Sequence, residues 1–139
     1  GVFSAVLYVH PNQVNMNGVI GFSSDLADEY ADLGPIVRFA ESGYIEARDG
    51  DHYRADQAKA YAVVNHDCPL FLVIDVPARR YSVYYGYSEG RICLAKDYAF
   101  RSEQSNVSAL DHWVMRSAVG TMDVDIELRP GDTVSAAAR

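Results

Sequence analysis

The chain has 139 residues, of which 49% are hydrophobic and 22% charged, so it can bury the core of one domain, and intrinsic disorder is excluded. Its formal charge of −7 disfavours nucleic acid and anionic lipid as partners unless a local basic patch exists, and the sequence contains no run of basic residues. The longest strongly apolar run, residues 70–74, is far shorter than the ~20 residues of a membrane-spanning helix. We therefore expect no nucleic-acid partner and no membrane insertion.

Apolar residues recur mostly with a period of two, which is typical of β-strands. The predicted strands are residues 3–9, 18–22, 36–39, 44–48, a segment pairing back from Tyr53, 70–76, 80–87, 92–95, 113–117 and 123–128. Turn residues separate these segments, and 70–95 is expected to form a three-stranded antiparallel meander. Residues 23–33 and 98–111 are expected to be loops.

About ten short strands, without an amphipathic helix or a βαβ alternation, predict an all-β protein. Such a pattern is typical of an antiparallel two-sheet β-sandwich or a barrel. We expect one domain over residues 1–130, followed by a polar tail or linker over residues 131–139.

Three segments carry a family resemblance: residues 72–85, 94–101 and 43–50, with LVIDV and RYSVYY, LAKDYAFR, and GYIEARDG. They resemble the concanavalin A-like (laminin G-type) β-sandwich domains of secreted polysaccharide-active proteins, and the resemblance covers residues 18–128. It implies a jelly roll of two sheets, secretion, and a polysaccharide or glycan bound on a concave sheet face or at the loop rim. Attachment to a catalytic domain stays open. Because a fold does not fix a function, the site must be argued from its residues.

Polar and aromatic side chains alternate with apolar ones on the predicted strands, which places them on outer sheet faces. If the strands are neighbours, one face carries Arg38, Tyr44, Glu46, Arg48, Arg80 and Tyr84. Sugar rings stack on aromatic side chains, and arginine pairs with a uronate or a sulfate. Ordinary cross-strand ion pairs explain the same residues. Trp113, the only tryptophan, is either a core anchor or a further sugar platform. We predict a non-catalytic, lectin-like carbohydrate-binding module.

The last predicted strand carries an enzymatic alternative. Asp123, Asp125 and Glu127 alternate with apolar residues and share one face. They resemble the Glu-x-Asp-x-Glu strand of retaining jelly-roll glucanases, in which paired carboxylates act as nucleophile and acid/base, although Asp123 is shorter than Glu. A polysaccharide lyase would instead use Tyr84 as its base beside Arg80 or Arg38. A structural or protein-interaction sandwich is the third alternative.

Oxygen donors and thiols complete the set of candidate sites. Asp49 and Asp51 are candidate Ca²⁺ ligands, because hard cations prefer carboxylate oxygens. Further acidic donors cluster in the loop at Asp25, Asp28, Glu29 and Asp32. Cys68 and Cys93 flank the meander and either form a disulfide bond, as a secreted protein would, or remain thiols.

Overall fold

The computed structural model describes residues 2–55, 60, 64, 66–87 and 89–130. The predicted tail over residues 131–139 lies outside the described residues. Two antiparallel five-stranded sheets make up the described chain, in agreement with the predicted all-β sandwich. Sheet A contains β1 (Val2–Pro11), β6 (Cys68–Asp75), β7 (Arg80–Tyr85), β8 (Ile92–Ala99) and β10 (Met122–Pro130). Sheet B contains β2 (Asn17–Ser23), β3 (Ile36–Phe39), β4 (Ile45–Asp49), β5 (His52–Arg54) and β9 (His112–Val119).

Strand order is β10-β1-β6-β7-β8 in sheet A and β5-β4-β3-β2-β9 in sheet B. The predicted meander is confirmed, since β6, β7 and β8 are consecutive neighbours. The predicted return strand from Tyr53 is also confirmed, since β5 pairs with β4. Short 3₁₀ turns occur at Tyr30–Asp32 and Ser102–Gln104. Among the described residues, no helix is long and apolar enough to cross a bilayer.

Alternation along each strand separates the core from the outer faces. On β7, the side chains of Tyr81 and Val83 are buried between the sheets, as predicted, while Arg80 and Tyr84 lie on the outer face of sheet A. On β3, Phe39 is completely buried in the same core.

Tyr81 joins the two sheets through a polar contact. Its ring belongs to sheet A, and its hydroxyl oxygen lies 3.0 Å from the carbonyl oxygen of Ile36 in β3. The same hydroxyl also lies at hydrogen-bonding distance from the carbonyl oxygen of Arg48 in β4. Complete burial raises the pKa of Tyr81 far above its ordinary value, so the hydroxyl is a proton donor at every physiological pH.

Strand β8 continues to Ala99, four residues beyond its predicted end at Ala95. The pairing register with β7 shifts at this point, because Asp97 adopts a left-handed conformation with φ 54°. The Asp97 N–H donates a hydrogen bond to the Ser82 hydroxyl at 3.0 Å. Such a bulge interrupts the alternation of apolar residues, so a period-two pattern predicts only the first half of the strand.

Candidate functional site: an arginine–tyrosine face on sheet B

The predicted binding residues divide between the two outer faces of the sandwich. Arg38 in β3 and Glu46 and Arg48 in β4 lie on sheet B, with Tyr44 directly before β4, whereas Arg80 and Tyr84 in β7 lie on sheet A. The prediction of one face containing all six residues is therefore wrong. Alternation gives the side of a strand but not the sheet that the strand joins.

Four side chains line up across the outer face of sheet B. Arg116 in β9 pairs with Val19 in β2, Val19 pairs with Arg38, and Arg38 pairs with Glu46. Neighbouring strands are about 4.8 Å apart, so the Cα atoms of the two arginines are separated by about 10 Å. The small buried side chain of Val19 lies between them. The two arginines therefore lie on opposite sides of Val19 on this face.

Tyr53 in β5 holds two further groups in place. The guanidinium carbon of Arg38 lies 3.9 Å from the centroid of the Tyr53 ring, and that of Arg48 lies 5.1 Å from it. Glu46 Oε1 accepts hydrogen bonds from Arg38 Nη2 at 2.7 Å and Nε at 3.2 Å. Burial raises the pKa of Tyr53, so its phenol stays neutral. Arg38 is thus fixed by an aromatic ring and a carboxylate together.

Two loops complete this surface. Tyr30 comes from the loop after β2, and the guanidinium carbon of Arg116 lies 5.0 Å from its ring centroid. Arg116 also donates a hydrogen bond to the carbonyl of Asp28 in the same loop. Arg101 lies at the start of the second 3₁₀ turn and contacts Glu103 at 3.3 Å. We call this surface the arginine–tyrosine face, defined by Tyr30, Arg38, Arg48, Tyr53, Arg101 and Arg116.

A glycine allows the first of these loops to lie flat on the sheet. A Cβ atom on Gly21 would be 2.9 Å from Leu33 Cδ1, closer than carbon atoms approach in proteins. Leu33 is completely buried by this contact. Within the loop, the Asp32 carboxylate accepts hydrogen bonds from the backbone N–H groups of Asp28 and Glu29 at 2.9 and 3.1 Å. Asp32 therefore stabilises the loop that positions Tyr30.

Two cavities adjoin on the face. One of about 270 Å³ is lined by Asn17, Val19, Tyr30, Arg38, Tyr53, Arg101 and Ala118. The other, of about 390 Å³, is lined by Asn17, Arg38, Ala40, Glu41, Ser42 and Glu46. Because both are bounded by Asn17 and Arg38, the two cavities adjoin at the Arg38 side chain.

The face concentrates positive charge on an acidic protein. It contains four of the ten arginines in the chain. Glu46 and Glu103 pair with Arg38 and Arg101, while Arg48 and Arg116 donate hydrogen bonds to backbone carbonyls. Folding thus brings together arginines from β3, β4, β9 and a loop that are separated along the sequence.

The outer face of sheet A contains the other predicted residues. A cavity of about 350 Å³ includes Arg80, Tyr84 and Lys96 in its lining, and Lys96 Nζ lies 3.4 Å from the Tyr84 hydroxyl oxygen. The Tyr84 ring packs near Phe71, with 6.1 Å between ring centroids. Tyr84 and Arg80 line the same cavity but are four residues apart on β7, about 13 Å between Cα atoms, and Arg38 lies on the opposite sheet, so neither arginine is beside Tyr84 as the lyase alternative requires.

The carboxylate strand and the tryptophan lie at sheet edges. Asp123, Asp125 and Glu127 share the outer face of edge strand β10, as alternation predicts, and all three are exposed. Arg129 Nε lies 3.1 Å from Glu127 Oε1. Trp113 is on edge strand β9 and is 40% exposed, so it is not a buried anchor. It pairs with Phe22 of β2, whose side chain is on the inner face, so Trp113 is not part of the outer face of sheet B either.

The two candidate Ca²⁺ ligands are engaged by protein donors. The Asp49 carboxylate accepts hydrogen bonds from Arg54 and, at 2.8 Å, from the Ala99 N–H. Asp51 contacts the His52 ring nitrogen at 2.8 Å. Within the described ranges, no group of three or more His, Cys, Asp or Glu side chains converges to hold a metal ion.

Replacing Asp49 by Asn is expected to lower the free energy of unfolding at pH 7 by about 1–2 kcal/mol, the range for losing charge-assisted hydrogen bonds. Burial alone would raise the pKa of Asp49, but the bonds from Arg54 and Ala99 outweigh it and lower that pKa. The carboxylate therefore stabilises the fold at pH values above about 4, the pKa of the carboxyl in the unfolded chain. This contribution is lost as the pH falls through the lower pKa of the carboxyl in the folded protein. Urea unfolding at several pH values should show the wild type and the variant converging below about pH 4. A constant difference down to pH 2 would contradict this role, and Asp51→Asn is the exposed control, with a smaller effect.

The two cysteines are not bonded to each other. Cys68 is buried on the inner face of β6, whereas Cys93 in β8 pairs with Tyr84, whose side chain is on the outer face. Strand β7 separates them, so of the two alternatives the structure has the thiols.

Comparison with known proteins finds neither a matching family model nor a matching curated protein. A solved structure of a sialidase is similar at a TM-score of 0.47 and 10% sequence identity, over 88% of this chain and 13% of that protein. The chain thus spans a small part of that protein's length, and the concanavalin A-like resemblance stays a prediction.

Proposed function

We propose that this domain is a non-catalytic carbohydrate-binding module whose polysaccharide ligand lies along the arginine–tyrosine face. The main support is the pair of adjoining cavities, of about 270 and 390 Å³, that meet at Asn17 and Arg38. A polymer needs successive subsites rather than one closed pocket, and two cavities that adjoin at one fixed side chain provide them. Secretion is part of the proposal, because structural polysaccharides lie outside cells.

The chemistry of the face suits a sugar chain. Aromatic surface from Tyr30 and Tyr53 can cover the C–H side of a sugar ring. The guanidinium of Arg38 presents several N–H donors in a fixed plane, and Asn17 offers both a donor and an acceptor. Since Glu46 and Tyr53 already fix Arg38, binding costs little additional side-chain entropy there.

Affinity gel electrophoresis through a panel of neutral and acidic polysaccharides, with and without a chelator, tests the proposed function. We expect at least one polymer to retard the domain without releasing products during incubation. Retardation by none of the polymers would contradict the proposal and favour a structural or protein-interaction sandwich. Product release would favour an enzyme: loss of turnover in Glu127→Gln would indicate a hydrolase, and in Tyr84→Phe a lyase on sheet A.

Replacing Arg38 by Met is expected to weaken binding to the retarding polysaccharide by about 10- to 100-fold, because charge-assisted hydrogen bonds contribute about 1.5–3 kcal/mol each. The Met side chain keeps the apolar stem over Tyr53 while removing the charged donors. Arg129→Met is the matched control, since Arg129 is on sheet A and contacts Glu127. Equal losses in both variants, or no loss in Arg38→Met, would place the binding surface elsewhere.

A further inference from the structure

We infer that the ligand of the arginine–tyrosine face is acidic, a saccharide bearing carboxylate or sulfate groups, an inference that rests on the proposed function. It follows from how the charges of the face are arranged and from which of its hydrogen-bonding groups remain available.

The available groups on the face are mostly donors. The carboxylates of Glu46 and Glu103 are already engaged by Arg38 and Arg101, and Glu41 lines only the second of the two cavities described. Arg48 and Arg116 each give one hydrogen bond to a backbone carbonyl, which leaves further N–H groups on each guanidinium. Neutral sugars present hydroxyls that both donate and accept, whereas carboxylates and sulfates only accept. A surface rich in guanidinium donors therefore matches an anionic sugar better than a neutral one.

The pairing of the positive charges leads to the same conclusion. Two of the four arginines pair with Glu46 and Glu103, whereas Arg48 and Arg116 give hydrogen bonds to backbone carbonyls, on a chain that carries −7 overall. On a chain with a negative net charge, an anionic polymer approaches most easily where guanidiniums are clustered. The patch therefore directs where the polymer can approach as well as how strongly it binds.

One donor at the edge of the cavity lacks a hydrogen bond. Arg101 Nε is buried, and although it lies 3.3 Å from a Glu103 oxygen, it has no well-aligned hydrogen-bond partner among the described residues. The Arg101 side chain is only 17% exposed and lines the same cavity as Arg38 and Tyr30. Partial removal from water strengthens the attraction between a guanidinium and an anion.

The geometry places a site for one anionic group beside Arg38 and Arg101, which line one cavity, with Arg116 on the far side of Val19. The Cα atoms of Arg116 and Arg38 are separated by two strand spacings, about 10 Å, across the small side chain of Val19. Both guanidiniums lie against aromatic rings, Arg38 at 3.9 Å from Tyr53 and Arg116 at 5.0 Å from Tyr30. Guanidiniums oriented by aromatic rings can hold an acidic substituent while the sugar ring packs against the exposed parts of Tyr30 and Tyr53.

Matched pairs of polymers test the inference. Polygalacturonate and its methyl-esterified form differ in the carboxylate, and dextran sulfate and dextran differ in the sulfate. We expect the charged member of at least one pair to bind at least tenfold more tightly than its neutral partner, with binding weakened by added NaCl. The pair with the larger difference distinguishes uronate from sulfate as the source of the negative charge.

Two variants act in opposite directions on this binding. Arg116→Met should weaken binding of the charged polymer about 10- to 100-fold, with Arg129→Met as the control. Glu103→Gln should strengthen it about two- to fivefold, because it removes a competing carboxylate from Arg101. A gain of affinity cannot result from misfolding, so the Glu103 variant stays informative if Arg116→Met folds poorly.

The outcomes separate the inference from the proposed function. Equal binding of the charged and neutral members of both pairs would overturn the inference and leave carbohydrate binding intact. Absence of binding to all four polymers and to the wider panel would overturn the proposed function itself. If neither Arg116→Met nor Glu103→Gln changes the affinity for the charged polymer, the assignment of the binding site to this face is overturned. Tighter binding of a single-stranded oligonucleotide than of either charged polysaccharide would replace the saccharide by nucleic acid.

Discussion

Replacing Phe39 by Ala is expected to lower the free energy of unfolding by about 3–5 kcal/mol, the range for deleting a buried aromatic ring. Phe39 is completely buried, and it lies in β3 directly after Arg38, on the opposite side of the sheet. The cavity left by the ring would lie beneath the strand that carries the central arginine of the arginine–tyrosine face. Urea unfolding followed by circular dichroism measures the loss.

Leu26→Ala is the control for this experiment, because Leu26 is 76% exposed and its truncation should change stability by no more than about 0.5 kcal/mol. Similar losses in both variants would show that Phe39 is not a core residue and would contradict the placement of β3.

Replacing Tyr81 by Phe is expected to lower the free energy of unfolding by about 1–3 kcal/mol, although only one oxygen atom is removed. The substitution leaves the carbonyl oxygens of Ile36 and Arg48 without their shared buried donor, and an unsatisfied buried acceptor costs this much. Both carbonyls belong to the strands that carry Arg38 and Arg48, so the variant also loosens sheet B against sheet A.

Tyr87→Phe is the matched control, since Tyr87 is 57% exposed and the same chemical change there should be nearly neutral. A neutral Tyr81→Phe variant would contradict the polar connection between the sheets.

Alternation in the sequence predicted the side of each strand but not its neighbours. It placed Tyr81 inside and Arg80 outside on β7, and it grouped the three carboxylates of β10, all of which the structure confirms. Arg38 and Arg80 have the same local pattern, a polar residue among apolar ones, yet they lie on different sheets. The choice of sheet depends on long-range pairing, for which a single strand's pattern contains no signal.

Half of the arginine–tyrosine face could not be predicted from local patterns. Tyr30 and Arg101 come from loops that become neighbours because Gln104 Nε2 donates a hydrogen bond to the Ala31 carbonyl at 2.8 Å. The pairing of Tyr53 with Arg48 depends on the short strand β5. The side of Arg116, in contrast, can be predicted, because alternation with Trp113 and Met115 in the predicted strand 113–117 places Arg116 on the outer face.

The most direct test of glycan binding at this face is a nuclear magnetic resonance titration of the ¹⁵N-labelled domain with an oligogalacturonate and, separately, a sulfated dextran oligomer. The arginine Nε–H signals report on the guanidiniums themselves, and the backbone amides report on the strands. We predict that at least one of the two ligands shifts the Nε–H signals of Arg38 and Arg116 and the amides of β2, β3 and β9, while Arg80 and β7 stay unchanged. Shifts confined to Arg80, Tyr84 and their neighbours on sheet A, or no shifts with either ligand, would contradict binding at the arginine–tyrosine face.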